Sequence, residues 1–237
     1  AIVLNYKINS EEELKNIKKL SQENKFIIKK DQEDCHTAIE ECLTEKLGDV
    51  GKKIHSGRSR NDQVLTALRL YELKNLEVIK EFQEQLVTSL KKKAKEYDSV
   101  KIPGYTHTRK AMPSSVKKWL GAFVEAGLDN VAIVKSVKDL IDKSPLGSAA
   151  GFGTDLGLDR DFTAKEAGFS EAMDNVTYAQ HSRGKFESFI IEALSQVMYD
   201  LNKLATDIIF YSASQIVYVK IKKKLCTGSS IMPQKKN

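Results

Sequence analysis

Three short polar segments hold most of the side chains able to do chemistry. The first reads His55-Ser56-Gly57-Arg58-Ser59-Arg60-Asn61-Asp62-Gln63. Two guanidinium groups, an amide and hydroxyls crowd together just before a long helical pattern. An arginine fork matches a carboxylate, and a helix N-terminus adds unpaired N–H groups and positive potential. The segment therefore suits an anionic substrate. Capping of the helix by Asn61 or Asp62, with solvated arginines, is the alternative. The second segment is Gly104-Tyr105-Thr106-His107-Thr108-Arg109, where His107 can transfer a proton near neutral pH or serve as an ordinary surface histidine. The third runs from Thr227 through Gly228-Ser229-Ser230 to Lys235 and Asn237. A serine acts as a base only when nearby positive charge or N–H donors stabilise its alkoxide. Lys235 could supply that charge or hold a substrate carboxylate; a mobile basic loop is the alternative. No GxSxG elbow is present, so a hydrolase triad is poorly supported.

The elements that must position these segments are helices. The chain has 237 residues, 41% hydrophobic and 30% charged, which excludes a disordered tail and allows a sizeable core. Only 13 glycines and 4 prolines punctuate it, so the elements are expected to be long. The spacing predicts helices over residues 10–20, opened by a Ser10/Glu13 capping box, and 34–47. A long helix follows over 62–97, with Leu76, Ile79, Phe82, Leu86, Leu90, Ala94 and Tyr97 on one face. Another starts at Pro113-Ser114-Ser115 and turns Val116, Leu120, Phe123, Val131, Val134 and Ile141 inward. Residues 144–157 read as a Gly-rich loop. Over 185–214, Ile190, Leu194, Val197, Leu201, Leu204, Ile208 and Tyr211 form a seven-residue apolar repeat, as in a helix bundle. Residues 215–225 alternate enough for a short strand.

Charge and cysteines narrow the functional classes. The net charge is +6, with short lysine runs at 91–93 and 222–224. The aromatic residues do not interleave with these runs as a single-strand binder requires, so nucleic acid is not an expected partner. No stretch approaches the ~20 apolar residues of a membrane helix, and no basic-then-apolar leader opens the chain. The three cysteines, Cys35, Cys42 and Cys226, lack framework spacing and read as free thiols of a reducing, cytoplasmic compartment. Cys35, His36 and Cys42 lack the spacing of a metal site.

The three segments together carry a resemblance. GRSRNDQV at 57–64, PGYTH at 103–107, SPLGSAAGFG at 144–153 and GSSIMPQKKN at 228–237 are similar, in order and spacing, to the motifs of the argininosuccinate lyase family. That family is a member of the fumarase/aspartase superfamily. The resemblance implies a mainly α fold, a long-helix bundle whose helices form the core of a homotetramer. Each active site would be assembled from three subunits, without metal or organic cofactor. The implied reaction is the reversible elimination of fumarate from argininosuccinate to give arginine. The implied domains are 1–60, the remainder of an N-terminal domain, and 61–237, a central helical bundle truncated at its C-terminus.

The resemblance also implies roles. Ser229 matches the base that removes the proton beside a carboxylate. His107 matches the histidine assigned to proton transfer at the leaving nitrogen, or to orienting substrate. Arg60, Asn61, Thr106, Lys235 and Asn237 match substrate-binding positions, and His36 matches a histidine near the site. Thr108 and Arg109 stand where the family often has Leu and Gln. The family's chains extend further at both ends, so the sequence reads as a fragment. The alternatives are a sister lyase acting on adenylosuccinate or fumarate, against which GRSRND argues, and a structural crystallin recruited from the same lyase.

Overall fold

The computed structural model describes residues 2–235. The elements in order are α1 (Ile2–Gln22), α2 (Cys35–Leu47), α3 (Asp49–Lys52), a 3-10 turn (Lys53–His55), α4 (Arg60–Glu96), the hairpin β1 (Lys101–Thr106) and β2 (Arg109–Ser115), and α5 (Val116–Ile141). Then come β3 (Lys143–Ser144), α6 (Arg160–Ala167), β4 (Glu171–Ala172), α7 (Val176–His181), α8 (Lys185–Ser212) and a 3-10 turn (Lys223–Leu225). The fold is mainly α. No helix among the described residues is long and apolar enough to cross a membrane.

The chain forms two compact units. The first comprises the chain up to Tyr71 together with Asp142–Arg183. Here α2 begins where Asp34 accepts a hydrogen bond from the Thr37 N–H at 2.9 Å, and ends at Gly48, whose φ is +63°. Leu43 is buried against the α3 turn. A Cβ on Gly51 would lie 2.5 Å from the Leu43 carbonyl carbon, so only glycine permits this approach. Lys46 pairs with Glu13 at 2.5 Å, joining α2 to α1. Further along, β3 and β4 pair in parallel, Lys143 with Glu171 and Ser144 with Ala172. Asp159 and Asn175 cap α6 and α7. Ala164, Phe169, Met173 and Ala179 bury the apolar sides of these short elements.

The second unit comprises Glu72–Ile141 and the chain from Gly184 onward. Leu90, Ala94 and Leu120 form its buried centre, with Leu86, Trp119, Phe123 and Leu204 packed around them. Removal of this apolar surface from water drives the three long helices together. Gly127 of α5 faces Val87 of α4; a Cβ there would come within 2.6 Å of the valine Cγ2. Polar ties set the register: Trp119 Nε1 donates to Asp207 Oδ2 at 2.8 Å, and Asn130 Nδ2 donates to Asp200 Oδ2 at 2.9 Å. Each has one partner on α5 and the other on α8, and a buried donor needs such a partner.

Several expectations need correction. Ser10 does not open a helix; α1 already runs from Ile2 through it. Pro113-Ser114-Ser115 is not a first helical turn but the end of β2. The helix starts at Val116, where Ser115 Oγ accepts from the Lys118 N–H at 3.1 Å. The hairpin escaped the sequence reading because Pro103-Gly104 looks like a break. In a two-stranded ribbon every strand is an edge, so Pro103 and Pro113 pair without a lost ladder bond. Residues 215–225 form bends and a 3-10 turn, with no strand, since alternation alone does not supply a partner. On α4 Leu76, Leu90 and Ala94 are buried as expected, but Phe82 and Tyr97 of that face are exposed. Phe82 is 63% exposed, whereas Gln83 and Val87 are buried.

Candidate functional site

The N-terminus of α4 is built by a reciprocal cap. Ser59 Oγ accepts from the Asn61 N–H at 3.3 Å, and Asp62 Oδ1 accepts from the Ser59 N–H at 2.9 Å. Gly57 precedes it at φ +65°, a conformation that costs other residues strain. This local geometry sets Arg60 and Asn61, two of the residues that the sequence singled out in the first unit. The Arg60 guanidinium reaches the start of α2, with Nε on Asp34 Oδ2 at 2.9 Å and Nη2 on Thr37 Oγ1 at 2.5 Å. Those two residues flank His36, so Arg60 and His36 share one neighbourhood. The Thr37 backbone N–H, and then Arg60, hold the Asp34 carboxyl below its ordinary range. Asn61 Nδ2 donates to Ser59 Oγ at 3.2 Å, and its Oδ1 receives Arg183 Nη1 at 3.4 Å. The guanidinium of Arg60 is thus engaged by protein groups rather than held out to solvent. His55 Nδ1 lies 2.9 Å from Glu40 Oε2, a further tie between α2 and this loop that the sequence did not disclose.

The Gly-rich loop belongs to the same unit. The backbone N–H groups of Gly147 and Ala149 both donate to Asp62 Oδ2, at 2.8 and 2.9 Å. Arg160 clasps the loop from the other side, Nη2 donating to Met173 O at 2.6 Å and Nε to Leu146 O at 3.3 Å.

In the second unit, Thr106 ends β1 and His107-Thr108 form the turn of the hairpin. Both turn residues have positive φ, +49° and +61°, the arrangement of a type I′ turn usually given to Asn and Gly. Thr108 Oγ1 donates to the His107 carbonyl at 2.6 Å, and His107 is exposed at the tip. Tyr105 anchors the ribbon beneath it: its ring meets Phe210 edge-on at 4.9 Å. Ser229 sits in the irregular segment after α8, where its Oγ accepts from the Met232 N–H at 3.1 Å. The Lys235 N–H donates to Met232 O at 2.9 Å and its side chain is exposed. No hydrogen bond among the described residues joins His107 to Ser229. Asn237 lies outside the described residues. No group of His, Cys, Asp or Glu among the described residues has the arrangement to hold a metal ion.

Long helices that carry polar loops at their ends are the architecture of this chain. The family described as Lyase matches residues 8–237. The chain belongs to this lyase family. Among its relatives, the argininosuccinate lyase of Thermotoga neapolitana is 52% identical over 227 residues, covering 96% of this chain and 57% of its own. The argininosuccinate lyase of Phocaeicola vulgatus is 44% identical, covering 95% of this chain and 50% of its own. The chain therefore spans about half the length of the curated relatives it matches. Among solved structures, an EDDS lyase in complex with formate superposes with a TM-score of 0.79 at 25% identity, over 94% of this chain and 44% of that one. The helical-bundle expectation is met, and the polar loops between the helices are the segments that the sequence singled out.

Proposed function

We propose that this lyase chain is part of an argininosuccinate lyase, which eliminates fumarate reversibly from argininosuccinate and leaves arginine. The observation that carries the reading is the joint presence of GRSRNDQV at 57–64 and GSSIMPQKKN at 228–237, in a chain 52% identical to one argininosuccinate lyase and 44% to another.

In this reading Ser229 removes the proton from the carbon beside a carboxylate. The electron pair delocalises into that carboxylate, whose developing charge is met by Lys235 and Asn237; stabilising charge where it develops is commonly the largest catalytic contribution. The carbon–nitrogen bond then breaks, and His107 delivers a proton to the departing guanidino nitrogen or orients it. Asn61 and Thr106 bind substrate. Arg60 serves through its hold on Asp34 and Thr37, on either side of His36. No step calls for a metal or organic cofactor. A cytoplasmic homotetramer with sites shared between subunits is part of the same reading. It is supported by the exposed apolar side chains of α8, among them Ile191, Met198 and Tyr199, which are 62–64% exposed.

The test uses the protein expressed from its full reading frame. Fumarate release from argininosuccinate is followed by ultraviolet absorbance, with adenylosuccinate as a second substrate and Ser229→Ala as a variant. Turnover of argininosuccinate alone, lost in the variant, is the expected result. Turnover of adenylosuccinate instead would assign the chain to the sister lyase, and equal activity in Ser229→Ala would remove Ser229 from its role.

A further inference from the structure

We propose that Asp62 is a positioning residue of the candidate site, bolting the Gly-rich loop 144–153 to the first turn of α4 that carries Arg60 and Asn61. The inference deepens the lyase reading and rests on it for its kinetic arm. Asp62 is fully buried, at 0% exposure. A helix cap asks one carboxylate oxygen for one backbone donor, and Oδ1 meets that need through the Ser59 N–H at 2.9 Å. The second oxygen does something a cap does not require. Oδ2 takes two N–H groups from a loop 85 and 87 positions away, Gly147 at 2.8 Å and Ala149 at 2.9 Å.

The loop is shaped to present those donors. Gly147 has φ +87° and Ala149 φ +49°, so that alternate N–H groups turn toward one point. Ala149 holds a conformation that favours glycine, and such strain persists only where surrounding contacts enforce it. A buried carboxylate is costly unless hydrogen-bonded, and three N–H donors with the positive end of a 37-residue helix meet that cost. Because one side chain serves both segments, the direction of the first turn of α4 and the path of the loop are one variable. Arg60 and Asn61 lie two residues and one residue before it.

The consequence is specific. An amide at this position has a single acceptor oxygen. It must turn its NH2 either to the Ser59 N–H or to the Gly147/Ala149 pair, donor against donor. Asp62→Asn therefore frees the loop or the cap, and the substrate-binding Asn61 and its neighbour Arg60 lose their fixed geometry. In the full-length protein the expected result has two parts. The KM for argininosuccinate rises at least about tenfold with kcat within about threefold. Hydrogen–deuterium exchange of the peptide over residues 146–150 speeds at least about tenfold. Glu77→Gln, a charge-neutralising change in the second unit, is the control and leaves both readings unchanged. A KM no higher than in that control, or unchanged exchange at 146–150, overturns the inference. Should Asp62→Asn fail to fold, exchange in the unaltered protein decides: protection of Gly147 and Ala149 together with the first turn of α4 supports the bolt, and fast exchange overturns it. If the unaltered protein does not turn over argininosuccinate, the proposed function falls, and the exchange comparison still judges Asp62.

Discussion

The phenolic oxygens of Tyr105 and Tyr218 lie 3.4 Å apart, joining the foot of the His107 hairpin to the segment that follows α8. Tyr105 also stands edge-on to Phe210 and Tyr211, at 4.9 and 6.2 Å. The ribbon has only one partner strand, and a two-stranded hairpin is marginal without a packing surface. This aromatic cluster is that surface.

The Tyr218 hydroxyl, through its hydrogen bond, pushes the Tyr105 phenol from 10.0 up to about 12. The folded state thus retains a proton that the unfolded chain releases. The resulting stabilisation is fully present below about pH 10 and is lost as pH rises toward about 12. Tyr105→Phe is expected to flatten this alkaline loss relative to the unaltered protein in urea melts at pH 9, 10 and 11. Parallel pH curves for the two proteins would contradict the pairing.

Thr108 is a β-branched residue at φ +61°. Left-handed backbone costs such residues about 1–2 kcal/mol, and asparagine tolerates it better. Thr108→Asn is therefore expected to stabilise the protein by about 1 kcal/mol in urea unfolding. A destabilisation would show that the Thr108 Oγ1 bond to the His107 carbonyl outweighs the strain.

Asp34 and Arg60 form a coupled pair that also holds Thr37. Asp34→Ala removes the cap of α2 and should cost about 1 kcal/mol; Arg60→Ala, added to it, should cost less than in the unaltered background. The carboxyl is held below its ordinary value, so its contribution is present above that value and lost as pH falls through the folded one. Additive costs in the double-mutant cycle would mean that the two residues act separately.

Glu77 sits between Lys138 and Lys80, which bring its carboxyl from 4.5 down to about 2. The unfolded chain takes up its proton first, so the stabilisation is present above about pH 4.5 and disappears toward about pH 2. Glu77→Gln should lower thermal stability modestly at pH 7 and not at pH 2, since all partners are partly solvated. An equal loss at both pH values would point to packing rather than charge.

The departures from the sequence reading have particular causes. On α4, a 3.6-residue period leaves the edges of the inward face open, so that Phe82 falls outside it and the polar Gln83 inside. The α4–α5 approach is set by Gly127 against Val87, a pairing that neither residue announces. Asn130 and Asp200 look like surface residues in the sequence, yet they meet between α5 and α8. The hairpin turn at His107-Thr108 lacks the Asn-Gly signal by which such turns are recognised.

Long amphipathic helices are legible in the sequence, because apolar spacing is a local property of the chain. So are the polar segments that carry the candidate chemistry, because their residue types and order form a signature that needs no tertiary contact. What those side chains hold was left to the folded chain. It joined Arg60 to Asp34 and Thr37, and Asp62 to Gly147 and Ala149, across 23 to 87 positions of chain. Partners that distant are selected by packing and by the need of every buried polar group for a hydrogen bond, and neither is written in any single stretch of residues.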